Sequence, residues 1–172
     1  MNELIKYIID LFSGLSSLKY GKEIIVFIIS LAPILELRGG LIASSLLGLS
    51  IYRGLLISFI GNLIPIPFIL LFISKILEWM ENSNIKWMKK LAKWIHKKAN
   101  KNKSQIEKYG YIGLMLFVGI PLPGTGAWTG CLVASLLELD KKKSFIYTLF
   151  GLVMASIIMI VFSYGILKNL IH

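Results

Sequence analysis

A chain of 172 residues that is 56% hydrophobic and 16% charged, with mean hydropathy +0.74, lies outside the composition of water-soluble domains. Its one cysteine, Cys131, excludes a disulfide scaffold within the chain. The net charge of +10 matters less for its size than for its placement, because basic residues in a membrane protein report which loops stay in the cytoplasm.

In chain order, residues 1–20 read as an amphipathic N-terminal helix. Asp10 interrupts its apolar run, which argues against a cleaved signal. Residues 22–50 form an apolar segment interrupted at "APILELRGG" (32–40), followed by an uninterrupted span over 51–77. The stretch 78–107 is basic: ten of the nineteen Lys and Arg residues lie between Lys75 and Lys108. Trp79, Trp87 and Trp94 flank Met88, Leu91 and Ile95 at helical spacing. That pattern suits an amphipathic helix in the headgroup layer of the cytoplasmic face, with its ammonium groups toward anionic lipid. A second interrupted segment, 108–140, breaks at "GIPLPGTGAWTG" (119–130) and leads into a span over 143–167. Several charge-free runs reach the roughly 20 residues a helix needs to cross a bilayer. The whole reads as one all-α membrane domain over 1–172.

Shifted by 90 positions, the chain matches itself. Pro33, Gly40, Ser45 and Gly61 fall on Pro123, Gly130, Ser135 and Gly151, and several Phe, Leu and Ile positions coincide. This divides the domain into repeats over 22–77 and 108–168, as transporters often are. Proline removes a backbone donor and glycine admits dihedrals other residues avoid, so each interrupted segment should split into two half-helices. Backbone freed at membrane depth persists only when buried or lining a wet cavity, so two breaks imply an internal cavity. Re-entrant hairpins would put Lys141, Lys142 and Lys143 on the face of the basic linker; fully crossing segments would put them opposite. The charge bias favours hairpins, inverted repeats and termini outside.

Glu36 and Arg38 are the charges inside the first break. A charge at membrane depth costs roughly 2.5 to 3.5 kcal/mol on insertion scales, so the pair is the first functional candidate. Arg38 offers a planar fork for a phosphate, and Gly39 and Gly40 should add free amides at a half-helix start. The second break offers an uncharged anion nest: hydroxyls of Thr125 and Thr129, the Trp128 indole, and backbone amides at Gly124 and Gly126. Burial disfavours a charged carboxyl and the nearby arginine favours it, which makes Glu36 the candidate proton carrier. The plainer reading is that Glu36 and Arg38 neutralise each other or cap half-helix ends. Pro33, Asn62, Pro65, Pro121 and Pro123 read as structural, with Asn62 a helix-to-helix hydrogen bonder and Gly61 and Gly151 sites of close packing. His96 lies in the linker and His172 ends the sequence, and no metal-ligand cluster is visible, so neither an enzyme nor a metal or other cofactor is expected. Nucleic acid is not an expected partner.

"ELRGG" after Pro33, "GNLIPIPF" and "PLPGTGAWTG" resemble the signatures of the putative small multidrug export protein family, over nearly the whole chain. In layout the chain is also similar, more distantly, to the DedA superfamily, whose paired re-entrant hairpins include undecaprenyl phosphate translocases. That second resemblance implies an anionic lipid substrate, although DedA members carry their arginine in the second hairpin, where this chain has Trp128. Three functions follow: translocation of a polyprenyl phosphate with Arg38 as headgroup ligand and Glu36 as proton carrier, which is the expectation; export of cationic or amphipathic compounds; or a non-transporting scaffold. A bundle this small also gains from pairing with a second copy.

Overall fold

A computed structural model describes residues 18–167 together with Tyr7 and Gly14, so most of the helix expected over 1–20 and the chain from Lys168 to His172 lie outside the described residues. The regular secondary structure of the described residues is all helical, with no strand among them. The helices are α1 (Gly21–Leu31), α2 (Glu36–Leu46), α3 (Ile51–Leu63), α4 (Pro65–Asn82), α5 (Lys86–Gly119), α6 (Ala127–Leu136) and α7 (Lys141–Ile160), which runs on as a π-helical stretch, Val161–Leu167.

Both breaks begin in the same way. Ala32 precedes Pro33 and is extended (ψ 135°), and Ile120 precedes Pro121 and is extended (ψ 122°). The proline ring crowds the residue before it out of the helical region, so α1 and α5 stop there. The stops are 88 positions apart rather than 90, and Pro121 rather than Pro123 takes the role of Pro33. The two helices that follow the breaks, α2 and α6, end alike. Leu47 N–H bonds Ala43 O, Gly48 N–H bonds Ser45 O and Leu49 N–H bonds Ser44 O; Leu137 bonds Val133, Glu138 bonds Ser135 and Leu139 bonds Ala134, at distances of 2.9 to 3.2 Å. Gly48 (φ 70°) and Glu138 (φ 54°) both take the left-handed turn that closes such a helix end.

Several expected boundaries shift. The span over 51–77 is two helices, because Pro65 opens α4 as its first residue, and α4 runs on to Asn82, taking Trp79 out of the linker. The basic helix starts at Lys86 and continues past 107; Gly110 (φ 57°, ψ −132°) separates its polar part from the apolar piece that ends at Gly119. Its apolar residues do not form one face: Met88 and Ala92 are buried with Leu77 and Met80 of α4, while Trp87, Leu91 and Trp94 are exposed.

The core lies where α1, α2, α5, α6 and α7 meet, around Ile25, Ile29, Leu41, Ile42, Leu114, Phe117 and Leu152. α1 packs on α2 and α3, and α5 on α6 and α7; across the middle, α4 packs on α6 and α7 on α2. Glycine sets two of these approaches. A methyl group at Gly61 would stand 3.0 Å from the Phe27 carbonyl oxygen, and one at Gly151 2.7 Å from that of Met115. Small residues that bring backbones together supply the van der Waals contact that holds helices in an apolar solvent. The outer faces are apolar: Leu56, Ile60, Phe68 and Phe72 on one side and Ile146, Phe150, Val153 and Ile157 on the other are exposed. By length and composition two helical stretches, Ile51–Asn82 and Lys141–Gly165, suffice to cross a membrane.

Candidate functional site

The two breaks lie side by side, and the first serves the second. Glu36 is the first residue of α2 and holds the left-handed conformation (φ 52°), with its N–H on Ala32 O at 3.0 Å. That conformation costs a non-glycine residue about 1 to 2 kcal/mol. It sends the carboxylate to the start of α6, where Oε2 accepts from Ala127 N–H (2.8 Å) and Oε1 from Trp128 N–H (3.1 Å). The first N–H groups of a helix have no partner within it and carry the positive end of its dipole, so a carboxylate is the group best suited to them. Gly126 (φ 146°) permits the approach: a methyl group there would collide with the Glu36 carboxylate. The Asn62 side chain approaches the same carboxylate from α3.

Arg38, two residues further along α2, reaches the other end of the same break. Nη1 donates to Leu122 O (2.9 Å), and Nη2 lies within bonding distance of Val118 O (3.2 Å), Ile120 O (3.1 Å) and Thr125 Oγ1 (3.1 Å). Val118 O lies in the last turn of α5, which leaves it unpaired, and Ile120 O and Leu122 O lie in the loop after it; a cation is favoured at that end. The Thr125 hydroxyl also stands 2.8 Å from Leu122 O and 3.0 Å from Ile120 O, closing the loop on itself. Glu36 and Arg38 are 5% and 9% exposed, and form no ion pair with each other among the described residues.

Two expectations are thereby corrected. The second break is not an uncharged nest, since a carboxylate and a guanidinium from 80 to 92 positions away fill it. Gly39 and Gly40 present no free amides to a ligand: Gly39 N–H bonds Leu35 O at 2.8 Å, and Gly40 is pressed against the hydroxyls of Ser30 and Ser58. Their small size serves packing.

A cavity of about 530 Å³ opens between the breaks. Of the residues singled out in the sequence it is lined by Pro33, Glu36, Arg38, Pro121, Pro123, Gly124, Thr125 and Thr129, but not by Gly39, Gly40, Gly126 or Trp128. Trp128 packs against the core, and its indole N–H is buried with no hydrogen-bond partner among the described residues. Pro65 lies on α4, away from the cavity lining. Sequence reasoning missed the wall contributed by Ile158, Met159 and Phe162 at the end of α7 and the carbonyls of Val118, Ile120 and Leu122 that hold Arg38. Apolar residues at the end of an apolar span carry no local signal. Among the described residues no group of three His, Cys, Asp or Glu could hold a metal ion.

A sequence model of one protein family, described as "putative small multi-drug export protein", matches residues 36–158, from the first residue of α2 through the second break and into α7. No curated protein and no solved structure matches the chain. The likeness to the DedA superfamily and the polyprenyl phosphate assignment that came with it find no support in these comparisons.

Proposed function

Because the chain belongs to the putative small multi-drug export protein family, we propose that this membrane protein exports small amphipathic compounds through the cavity between its two breaks. The observation that carries the proposal is the cavity itself. Its volume of about 530 Å³ falls in the range of roughly 300 to 1,000 Å³ typical of small-molecule sites. Its wall mixes prolines, Ile34, Met159 and Phe162 with two charges already matched to backbone. A site built this way selects for an apolar body of suitable size more than for a charge, which fits several compounds better than one. A resident phosphate is disfavoured for the same reason: four acceptors surround Arg38, and the α6 amides already carry an anion.

The proposed arrangement is an inverted repeat, with α1–α2 and the α5 end with α6 as re-entrant hairpins and 51–82 and 141–165 as the spans. Its support is the recurrence of the same helix-end hydrogen bonds 90 positions apart and the crosswise packing of α4 on α6 and α7 on α2. In it, the basic part of α5 lies on the cytoplasmic surface with Trp87 and Trp94 toward anionic lipid. Glu36 is the proton carrier: neutralised, it releases the α6 amides and loosens the join between the breaks while the cavity empties.

The test is export of a fluorescent amphipathic dye from proteoliposomes, with internal pH followed in parallel. Wild type should export dye with opposing proton flow, Ile34→Trp, an exposed cavity-lining position, should slow export at least tenfold, and Glu36→Gln should abolish the proton flow. Vesicles that flip a labelled polyprenyl phosphate and export no dye would overturn the proposal.

A further inference from the structure

The helices α2 and α3 run antiparallel with a polar seam between them. Asn62 meets Glu36, Ser58 meets Gly40, and Gly54 meets Ser44, so each step of four residues along one helix is matched by four along the other. At the far end the Ser44 hydroxyl bonds that of Tyr164 at 2.5 Å, and Tyr164 is only half-buried. The seam thus runs from Glu36 toward the turn at residues 47–50. Its length from Asn62 to Gly54 is about 12 Å at 1.5 Å per helical residue.

Two atoms of this seam have no partner. Ser58 Oγ and Asn62 Oδ1 are buried without a hydrogen bond among the described residues, in side chains 0% and 1% exposed. They stand one turn apart on the same face of α3. Buried polar atoms of folded proteins are almost always satisfied, by protein or by ordered water. The matching positions of the other half are different. Ninety residues on, Thr148 pairs with Cys131 at 3.5 Å, and Leu152 is apolar and 1% exposed. Ser144 Oγ, which matches Gly54, is buried without a partner as well, but two unpaired atoms one turn apart beside an acid occur at Ser58 and Asn62 and have no counterpart at Thr148 and Leu152.

We infer that Ser58 and Asn62 bind a short file of internal water that joins Glu36 to the Ser44–Tyr164 hydroxyl pair, so that Glu36 exchanges protons with the face bearing the 47–50 turn. This rests on the reading of Glu36 as a proton carrier and adds its route. Around Glu36, the titratable or charged groups are Arg38 on its own helix and Cys131 on α6; Asn62 is its neighbour on α3 and cannot titrate. Tyr164 is the titratable group at the outer end. Along such a file a proton passes from hydroxyl or water oxygen to carboxylate while each oxygen hands on the proton it held, so nothing is consumed.

Infrared spectroscopy of the full chain in proteoliposomes reads this without any transported substrate. The carboxyl band of protonated Glu36, identified by its loss in Glu36→Gln, should shift within the mixing time on transfer from H2O to D2O. Ser58→Val should slow that shift at least tenfold, and Ser58→Thr, which keeps the hydroxyl, should restore it. If the valine variant does not fold, Ser58→Ala should still slow exchange about threefold. Exchange independent of residue 58, or no Glu36 band between pH 4 and 8, would overturn the route. Dye export with exchange independent of Ser58 removes the water file alone; Ser58-dependent exchange without export removes the export reading alone.

Discussion

The first break is short and closes on itself, whereas the second is longer and depends on the first. Residues 32–35 connect α1 to α2 with bonds from Ala32 and Glu36 back to the preceding turn. Residues 120–126 connect α5 to α6 and leave a helix end on either side of the gap, which Arg38 and Glu36 supply with a cation and an anion. A longer interruption frees more backbone than its own turns can pair, and at depth in an apolar bundle each unpaired group is costly. The lesson is that the two charges sit in the break that does not need them, on a helix rigid enough to aim them at the one that does.

Removing the donor should therefore hurt most. Arg38→Ala strands the carbonyl of Val118 and takes one of several donors from those of Ile120 and Leu122, and should lower stability by about 3 to 5 kcal/mol, the scale of several charge-assisted hydrogen bonds lost together; SDS titration of the protein in mild detergent reads it. Equal stability of Arg38→Ala and wild type would mean that the second break holds itself. Next comes Gly126→Ala, whose methyl group meets the Glu36 carboxylate, expected to cost about 2 to 4 kcal/mol in the same assay. Gly124→Ala also changes a left-handed glycine (φ 83°) but into open space, so only the backbone strain of about 1 kcal/mol remains. A similar loss at both glycines would show that Gly126 is there for its backbone and not for Glu36.

Glu36→Gln keeps the shape but leaves one of two amides facing an NH2 group, and should cost about 1 to 3 kcal/mol. In a double-mutant cycle with Arg38→Ala the losses should be less than additive by at least about 0.5 kcal/mol, since both act on one loop. The smallest effect compares the two helix ends. Gly48 and Glu138 share the left-handed turn (φ 70° and 54°), so Glu138→Gly should stabilise by roughly 0.5 to 1 kcal/mol while Gly48→Ala destabilises by about as much. A thermal shift of the same sign for both would break the equivalence.

Much of this is legible in the amino-acid sequence. The apolar tracts, the prolines that end α1 and α5, and the placing of two charges, Glu36 and Arg38, inside an apolar tract follow from residue chemistry alone. The offset of 90 marks the ends of α2 and α6 to the residue, because helix ends are local. It misplaces the prolines, since a gapless comparison cannot see that the second break is longer. Spacing marks the linker as an amphipathic helix in the headgroup layer, yet Met88 and Ala92 turn to α4 while Trp87 and Trp94 stay exposed; spacing around one helix cannot say how many partners it has.

What the amino-acid order decided by itself is where the helices stop and which side chains are too costly to be idle, because torsions and solvation are properties of a few neighbouring residues. Only the tertiary structure decided that Glu36 and Arg38 turn away from any pairing with each other and toward Ala127, Trp128 and the 118–125 carbonyls. Hydrogen bonds depend on distance in space to within a few tenths of an ångström. For groups more than eighty residues apart, that distance is set by how α2, α5 and α6 pack.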